Sequence, residues 1–123
     1  MPKISKKTAT RNKADRALQD LIRAKHKDEL CWCCGGNYIQ VGHHFITKSS
    51  SNALRYYLPN IIPLCQKCHC LVHCQPHLVE PGICFKLGKR WYDDLIDVKR
   101  QGVKANVEWY ETNLKILEDM ING

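Results

Sequence analysis

Cys31-x-x-Cys34 and Cys65-x-x-Cys68 are two pairs of thiols at one spacing, thirty residues apart. Each pair can set both sulfurs on the concave side of a tight turn. Two such turns supply four thiolates, which fills the tetrahedral coordination of zinc. A site filled in this way has no open position, so its work is structural. Between the pairs and just beyond them lie His43-His44, Asn60 and His69-x-x-x-His73. Histidines four residues apart on a helix share one face and can reach one ion. A neutral imidazole can instead take a proton from water near pH 7.

The thiol register has open edges. Cys33 adjoins Cys34, but Cys31 with Cys33 is a poor pairing, and the glycine after Cys34 suits a turn that ends on Cys34. Cys70 and Cys74 are candidate substitutes on the following helix, and His69 is a candidate fourth ligand of a shifted site.

Residues 31–77 hold seven of the eight cysteines and five of the six histidines. The elements around them follow from periodicity and turn residues. Residues 1–12 are short, cationic and almost free of apolar side chains, which predicts a disordered basic arm. Ala14, Ala17, Leu18, Leu21 and Ile22 predict an amphipathic helix within residues 13–30. Tyr38–Val41 reads as a short strand, with His43–Ile46 as the strand paired to it. The serine-rich stretch 47–52 is a loop, and Ile61–Leu64 is an apolar approach to the second thiol turn. A helix carrying His69 and His73 follows. Pro76, Pro81 and Gly82 predict a loop through 75–88. Trp91, Leu95, Ile96 and Val98 mark one helix, and Val107, Tyr110, Leu114, Leu117 and Ile121 another. Residues 78–123 are therefore expected to pack as a loop and two helices on the module at 31–77.

The adjacent histidine pair at a strand end, an asparagine sixteen residues on, and His-x-x-x-His directly after a thiol turn resemble the HNH nuclease superfamily. The resemblance covers residues 31–74, a little over a third of the chain. The text GHHFITKSS and LRYYLPNIIPLCQKCH is also similar to small phage and prophage HNH proteins. The resemblance implies an α+β fold, a zinc-stapled ββα-metal (His-Me finger) module with flanking helices. It further implies a metal-dependent endonuclease that hydrolyses DNA phosphodiester bonds, most readily in duplex DNA. His44 would be the general base. His43, His69 and His73 would hold a divalent ion that stabilises the phosphate and the leaving 3′-oxygen, and Asn60 would tie the loop to the His44 strand and fix its ring. Cys31, Cys34, Cys65 and Cys68 would hold the structural zinc. Histidine ligands suit zinc, nickel, cobalt or manganese, whereas magnesium prefers oxygen, so the second ion is left open among these.

Nineteen basic against twelve acidic side chains leave a formal charge of +7, which favours polyanions. Lys48, Arg55, Lys67 and Arg90 flank the histidines and are candidate phosphate contacts. Arg55 leads, because its fork can bind two oxygens. Trp91 and Trp109 fall at helical core spacing. No apolar run long enough for a secretory signal or a bilayer span is present, so paired thiols point to metal rather than disulfides. The expected setting is the cytoplasm of a bacterium or a phage-infected cell, with no membrane partner. Monomer and homodimer are both compatible with the sequence. Two other function classes share the cysteines: a non-catalytic zinc module that binds nucleic acid, and a redox or metal-handling protein using the surplus Cys33, Cys70, Cys74 and Cys84. Two ions per chain favour the nuclease, and one favours the binding module.

Overall fold

Ser5 opens the first helix, its hydroxyl accepting from the Thr8 N–H at 3.1 Å. The computed structural model, which describes residues 3–123, runs this helix, α1, over Lys6–Lys25. The sequence reading of a disordered arm through residue 12 is thus corrected from Lys6 onward; Met1 and Pro2 lie outside the described residues. The serine cap and the packing of α1 on the C-terminal helix α5 (Val107–Asn122) supply what apolar periodicity does not show in that first stretch. The buried face of α1 is the expected one: Ala14, Ala17, Leu18, Leu21 and Ile22.

The sheet has two antiparallel strands, β1 (Val41–His44) and β2 (Ile61–Leu64). This corrects the expected pairing of 38–41 with 43–46. Gly42 is inside a strand rather than at a turn, and Tyr38 makes only an isolated bridge to Leu30. Gly42 stands opposite Pro63. Phe45 N–H donates to the Asn60 carbonyl at 2.9 Å. Hydrogen-bonded pairs therefore alternate through His43 and Ile62, and Pro63 occupies a place where a missing N–H costs nothing. Gly42 turns its own peptide groups away from β2, toward α1.

A turn of 3-10 helix at Leu58–Asn60 enters β2, and α2 (Gln66–Cys74) follows it. The expected loop at 75–88 instead contains a second 3-10 turn and a helix, α3 (Glu80–Leu87). Pro81 lies in the first turn of α3, where the absent N–H has no intrahelical partner to lose, so proline marks a helix start here. Gly88, at φ +89°, separates α3 from α4 (Lys89–Lys99). Among the described residues the chain is therefore α+β, five helices around a small antiparallel sheet and a four-cysteine cluster.

The sheet lies between two apolar clusters. Ile61 joins α1, Tyr56 and the α5 residues Tyr110 and Leu117, while Ile62 and Leu64 join Cys31, Cys65, Cys68, Val72, Val79 and Ile83. Trp91 and Trp109 pack against these clusters, as their spacing suggested. No helix among the described residues is long and apolar enough to cross a membrane.

Gly42 is what lets α1 lie against β1. A Cβ there would sit 2.6 Å from Cγ2 of Ile61 and 2.9 Å from Cγ1 of Ile22. We expect Gly42→Ala to destabilise the fold by about 1–3 kcal/mol through overpacking. Denaturant unfolding would read it; a midpoint equal to the parent's would mean that the contact yields freely.

Candidate metal centres and the histidine cleft

The first thiol turn closes through Gly35, whose φ of +64° a side chain would oppose. Its N–H donates to the Cys31 carbonyl at 3.0 Å. Backbone N–H groups of Cys33 and Gly36 aim at Sγ of Cys31 and Cys34, each at 3.4 Å. In the second turn, Cys65 is the N-cap of α2, its sulfur accepting from the Cys68 N–H at 3.4 Å. The four sulfurs lie within 4.8 Å of one another, and those of Cys34 and Cys65 are 3.8 Å apart. A zinc–sulfur bond of about 2.3 Å implies a tetrahedral edge of about 3.8 Å, so the cluster is compatible with zinc. The donor chemistry agrees. The Gly36 N–H leads the influences that pull Cys34 down to about 6, favouring thiolate. Burial, with the neighbouring thiols, pushes Cys68 up. A divalent cation lets all four ionise together.

The structure also brings His43, His69 and His73 together. One ring nitrogen from each falls within the same 4.8 Å span. His43, on β1, is 6% exposed, and its Nε2 is buried without a hydrogen-bond partner. His69 and His73, one turn apart on α2, face each other with Nε2 atoms 3.0 Å apart. For metal–nitrogen bonds of about 2.1 Å the edge between adjacent ligands runs from about 3.0 Å (octahedral) to 3.4 Å (tetrahedral), so the His69–His73 pair matches two adjacent positions on one ion, with a His43 nitrogen within 4.8 Å of both. Burial, then the charges that His69, His73 and His44 would carry, pushes His43 down to about 4. Burial and His73 lower His69 as well. Both rings are therefore held as neutral donors near pH 7.

His44, the next residue on β1, is oriented separately. Its Nε2 lies 2.8 Å from the Arg55 carbonyl, an acceptor only, so Nε2 carries the proton. That leaves Nδ1 as the nitrogen able to accept one. Burial holds His44 below the usual histidine range; the Arg55 carbonyl opposes this, and the cations of Lys48 and Arg55 reinforce it. All four histidines line one cleft of about 240 Å³, together with Gln19, Val41, Gly42, Thr47 and Lys48.

Asn60 is fully buried and does not reach the His44 ring. Its amide accepts from Ile46 N–H at 2.8 Å and donates to the carbonyls of Ile46 at 3.0 Å and Leu54 at 3.3 Å. Both partners lie in the loop between the strands, so the amide ties the end of that loop to its start and middle rather than to the His44 strand expected from the sequence. The ring itself is fixed by the residue after Leu54, not by Asn60. Asn60 is a positioning residue.

Arg55 is also placed differently from the phosphate contact expected. Its Nε donates to Asp15 Oδ1 at 2.9 Å, and a second donor reaches Oδ2 of the same carboxylate. Tyr56 adds its hydroxyl to Asp15 at 2.8 Å. This network ties the loop that holds His44 to α1. Lys67 does not line the histidine cleft; it borders a separate depression with Asn37, Tyr38, Gln40 and Cys65. Lys48 does line the cleft.

Gln19 was missed by the sequence reading. Its Nε2 donates to the Gly42 carbonyl at 2.9 Å and its Oε1 accepts from the Gly42 N–H at 2.8 Å. The side chain thereby replaces a third strand at the free edge of β1, immediately before His43. Half-buried beyond the margin of the helix's apolar stripe, it left no signal in the periodicity.

Comparison with protein-family models, with curated proteins and with solved structures found no match to this chain.

Two outcomes follow. Cys65→Ser removes a sulfur but leaves a hydroxyl able to cap α2, and we expect loss of one bound zinc per chain together with loss of the cooperative unfolding transition. A folded Cys65→Ser protein that retains its zinc would remove Cys65 from the ligand set. The second concerns acid. Burial alone would raise Asp15, but hydrogen bonds from Arg55 and Tyr56, with the charges of Arg55 and Lys48, outweigh it and hold the carboxyl below its ordinary 3.8. A depressed carboxyl contributes stability above its unfolded pKa and loses it as pH falls through the folded one. The stability gap between parent and Asp15→Asn should therefore be largest near neutrality and shrink below about pH 4. A gap constant down to pH 2 would show that the ionised carboxylate contributes nothing.

Proposed function

We propose that the chain is a metal-dependent endonuclease of HNH type, built on a ββα-metal module, that hydrolyses phosphodiester bonds in DNA. The observation that carries the reading is a division of labour inside one cleft. Three histidine donors converge on a point, and a fourth histidine, excluded from that point, keeps a free Nδ1.

His43, His69 and His73 would hold a divalent ion. Bound there, such an ion would stabilise the charge developing on the phosphate and on the departing 3′-oxygen. His44 accepts the proton of the attacking water through Nδ1 as the new phosphorus–oxygen bond forms and the bond to the 3′-oxygen breaks. The departing 3′-oxygen takes a proton from solvent water, and the products are a 5′-phosphate and a 3′-hydroxyl. The Arg55 carbonyl keeps the His44 ring in one tautomer, and Asn60 and the Asp15–Arg55 pair keep that carbonyl still. A base fixed in this way loses little rate to misorientation. Lys48, at the cleft wall, is placed to meet a phosphate oxygen as a point charge. The basic balance of the whole chain supports a polyanionic substrate.

The test is nicking of supercoiled plasmid with added divalent ions. His44→Ala should lower the rate by about 10²- to 10⁴-fold, the usual contribution of a general base. It should leave the fold intact and two metal ions per chain. Undiminished cutting by His44→Ala removes it from the base role. One ion per chain and no cutting by the parent would instead favour a zinc module that only binds nucleic acid.

A further inference from the structure

A second groove, of about 670 Å³, lies beside the histidine cleft. Lys48 lines both, so the two adjoin at its side chain. Its walls come from three separate parts of the chain. Lys7 and Arg11 are four residues apart on one face of α1, Lys48 comes from the loop after β1, and Lys104 from the segment ahead of α5. Among the described residues none of these four cations has a salt-bridge partner, whereas the neighbouring Lys6 is paired with Glu111. Arg55 also lines the groove, but its charge is taken up by Asp15. Glu108 is the one carboxylate on the wall.

Four cations facing one groove repel each other, and a chain of phosphates relieves that repulsion while releasing its own counterions. We propose that this groove is a preformed track for the DNA backbone leading away from the scissile phosphate, with Lys7, Arg11 and Lys104 as phosphate contacts. It extends the nuclease reading of the histidine cleft to a named path for the substrate, but the track can bind without any cutting. Helix α1 then has two tasks. Its inner face supports β1 through Gln19 and Gly42, and its first two turns present Lys7 and Arg11 to phosphates. The same contacts from a disordered arm would cost ordering entropy on binding; on a helix that cost is met in folding.

The test is binding to a short mixed-sequence DNA duplex without divalent ions added, so that hydrolysis plays no part. The triple variant Lys7→Gln/Arg11→Gln/Lys104→Gln is compared with Lys25→Gln/Lys27→Gln/Lys99→Gln, which lowers the net charge equally at other surfaces. Three lost phosphate contacts should reduce the slope of log K against log salt by about 2.7, from about 0.9 for each contact. The control triple should keep nearly the parental slope. Equal losses in both triples would overturn the track and leave only a diffuse positive field. An unchanged slope in the groove triple would overturn it as well. Should the groove triple fold poorly, Lys104→Gln alone, at an exposed position, should lower the slope by about one, and no change there overturns the contact. Failure of the parent to nick plasmid, with the groove slope lost as expected, would sink the nuclease reading and spare the track.

Discussion

Cys65 is where the support of this structure and its chemistry meet. Its sulfur belongs to the four-cysteine cluster and also caps α2, so the cluster and the helix share an origin. One turn later the helix presents His69, and one turn after that His73. A rotation of α2 about its axis would swing both imidazoles away from His43. A zinc ion held by the cluster would prevent that rotation, because Cys65 and Cys68 lie at the start of α2 and their partners Cys31 and Cys34 are in a loop thirty residues earlier. The chain has only 8% aromatic residues, and its core is split into two small clusters. Cross-linking through sulfur gives a small domain the rigidity that apolar burial alone supplies poorly.

What was legible in the sequence was mostly what coordination chemistry dictates over short distances. Two CxxC turns and a His-x-x-x-His pair announce themselves, since ligand spacing within a turn or a helix is local. The convergence of His43 on that pair was also anticipated. Its mechanism was not, because the strand that carries His43 pairs with Ile61–Leu64 and not with a neighbouring hairpin arm. Four-residue strands contain too little alternation to reveal a partner, and Pro63 looks like a strand breaker until its opposite residue is known. The same blindness hid Gln19, Asp15 and the true role of Arg55. Each acts through a partner more than twenty residues away. An arginine beside a candidate site looks like a phosphate ligand when its carboxylate lies on another element.

The loop between the strands shows how orientation is passed along a chain of contacts. Asn60 holds the Leu54 carbonyl, and the next carbonyl, that of Arg55, holds His44. The Arg55 side chain returns to α1 through Asp15, and α1 returns to β1 through the Gln19 amide. Loop, helix and strand thus form a closed circuit with His44 at its centre. Buried polar groups are expensive when any link is missing, and none of the fully buried side-chain nitrogen or oxygen atoms of this circuit lacks a partner. A fully satisfied circuit of this kind favours one arrangement of the loop over many of similar energy.

Against that thrift, His43 stands out. Its Nε2 is buried and has no partner in the protein, a defect that costs about 1–3 kcal/mol when a polar atom is taken from water. Burial on β1 could be served at no such cost by leucine or valine, which would also extend the apolar cluster of Ile62 and Leu64. A module whose task was to grip nucleic acid through surface lysines would have no use for the histidine. The expense makes sense if the missing partner is a ligand, and ring nitrogens of His69 and His73 lie within 4.8 Å of one on His43. A cation would satisfy all three at once. With the fourth histidine tied to a backbone carbonyl outside that cluster, the cleft would then have an electrophilic side and a basic side, which the proposed phosphodiester hydrolysis requires and a passive binding surface does not.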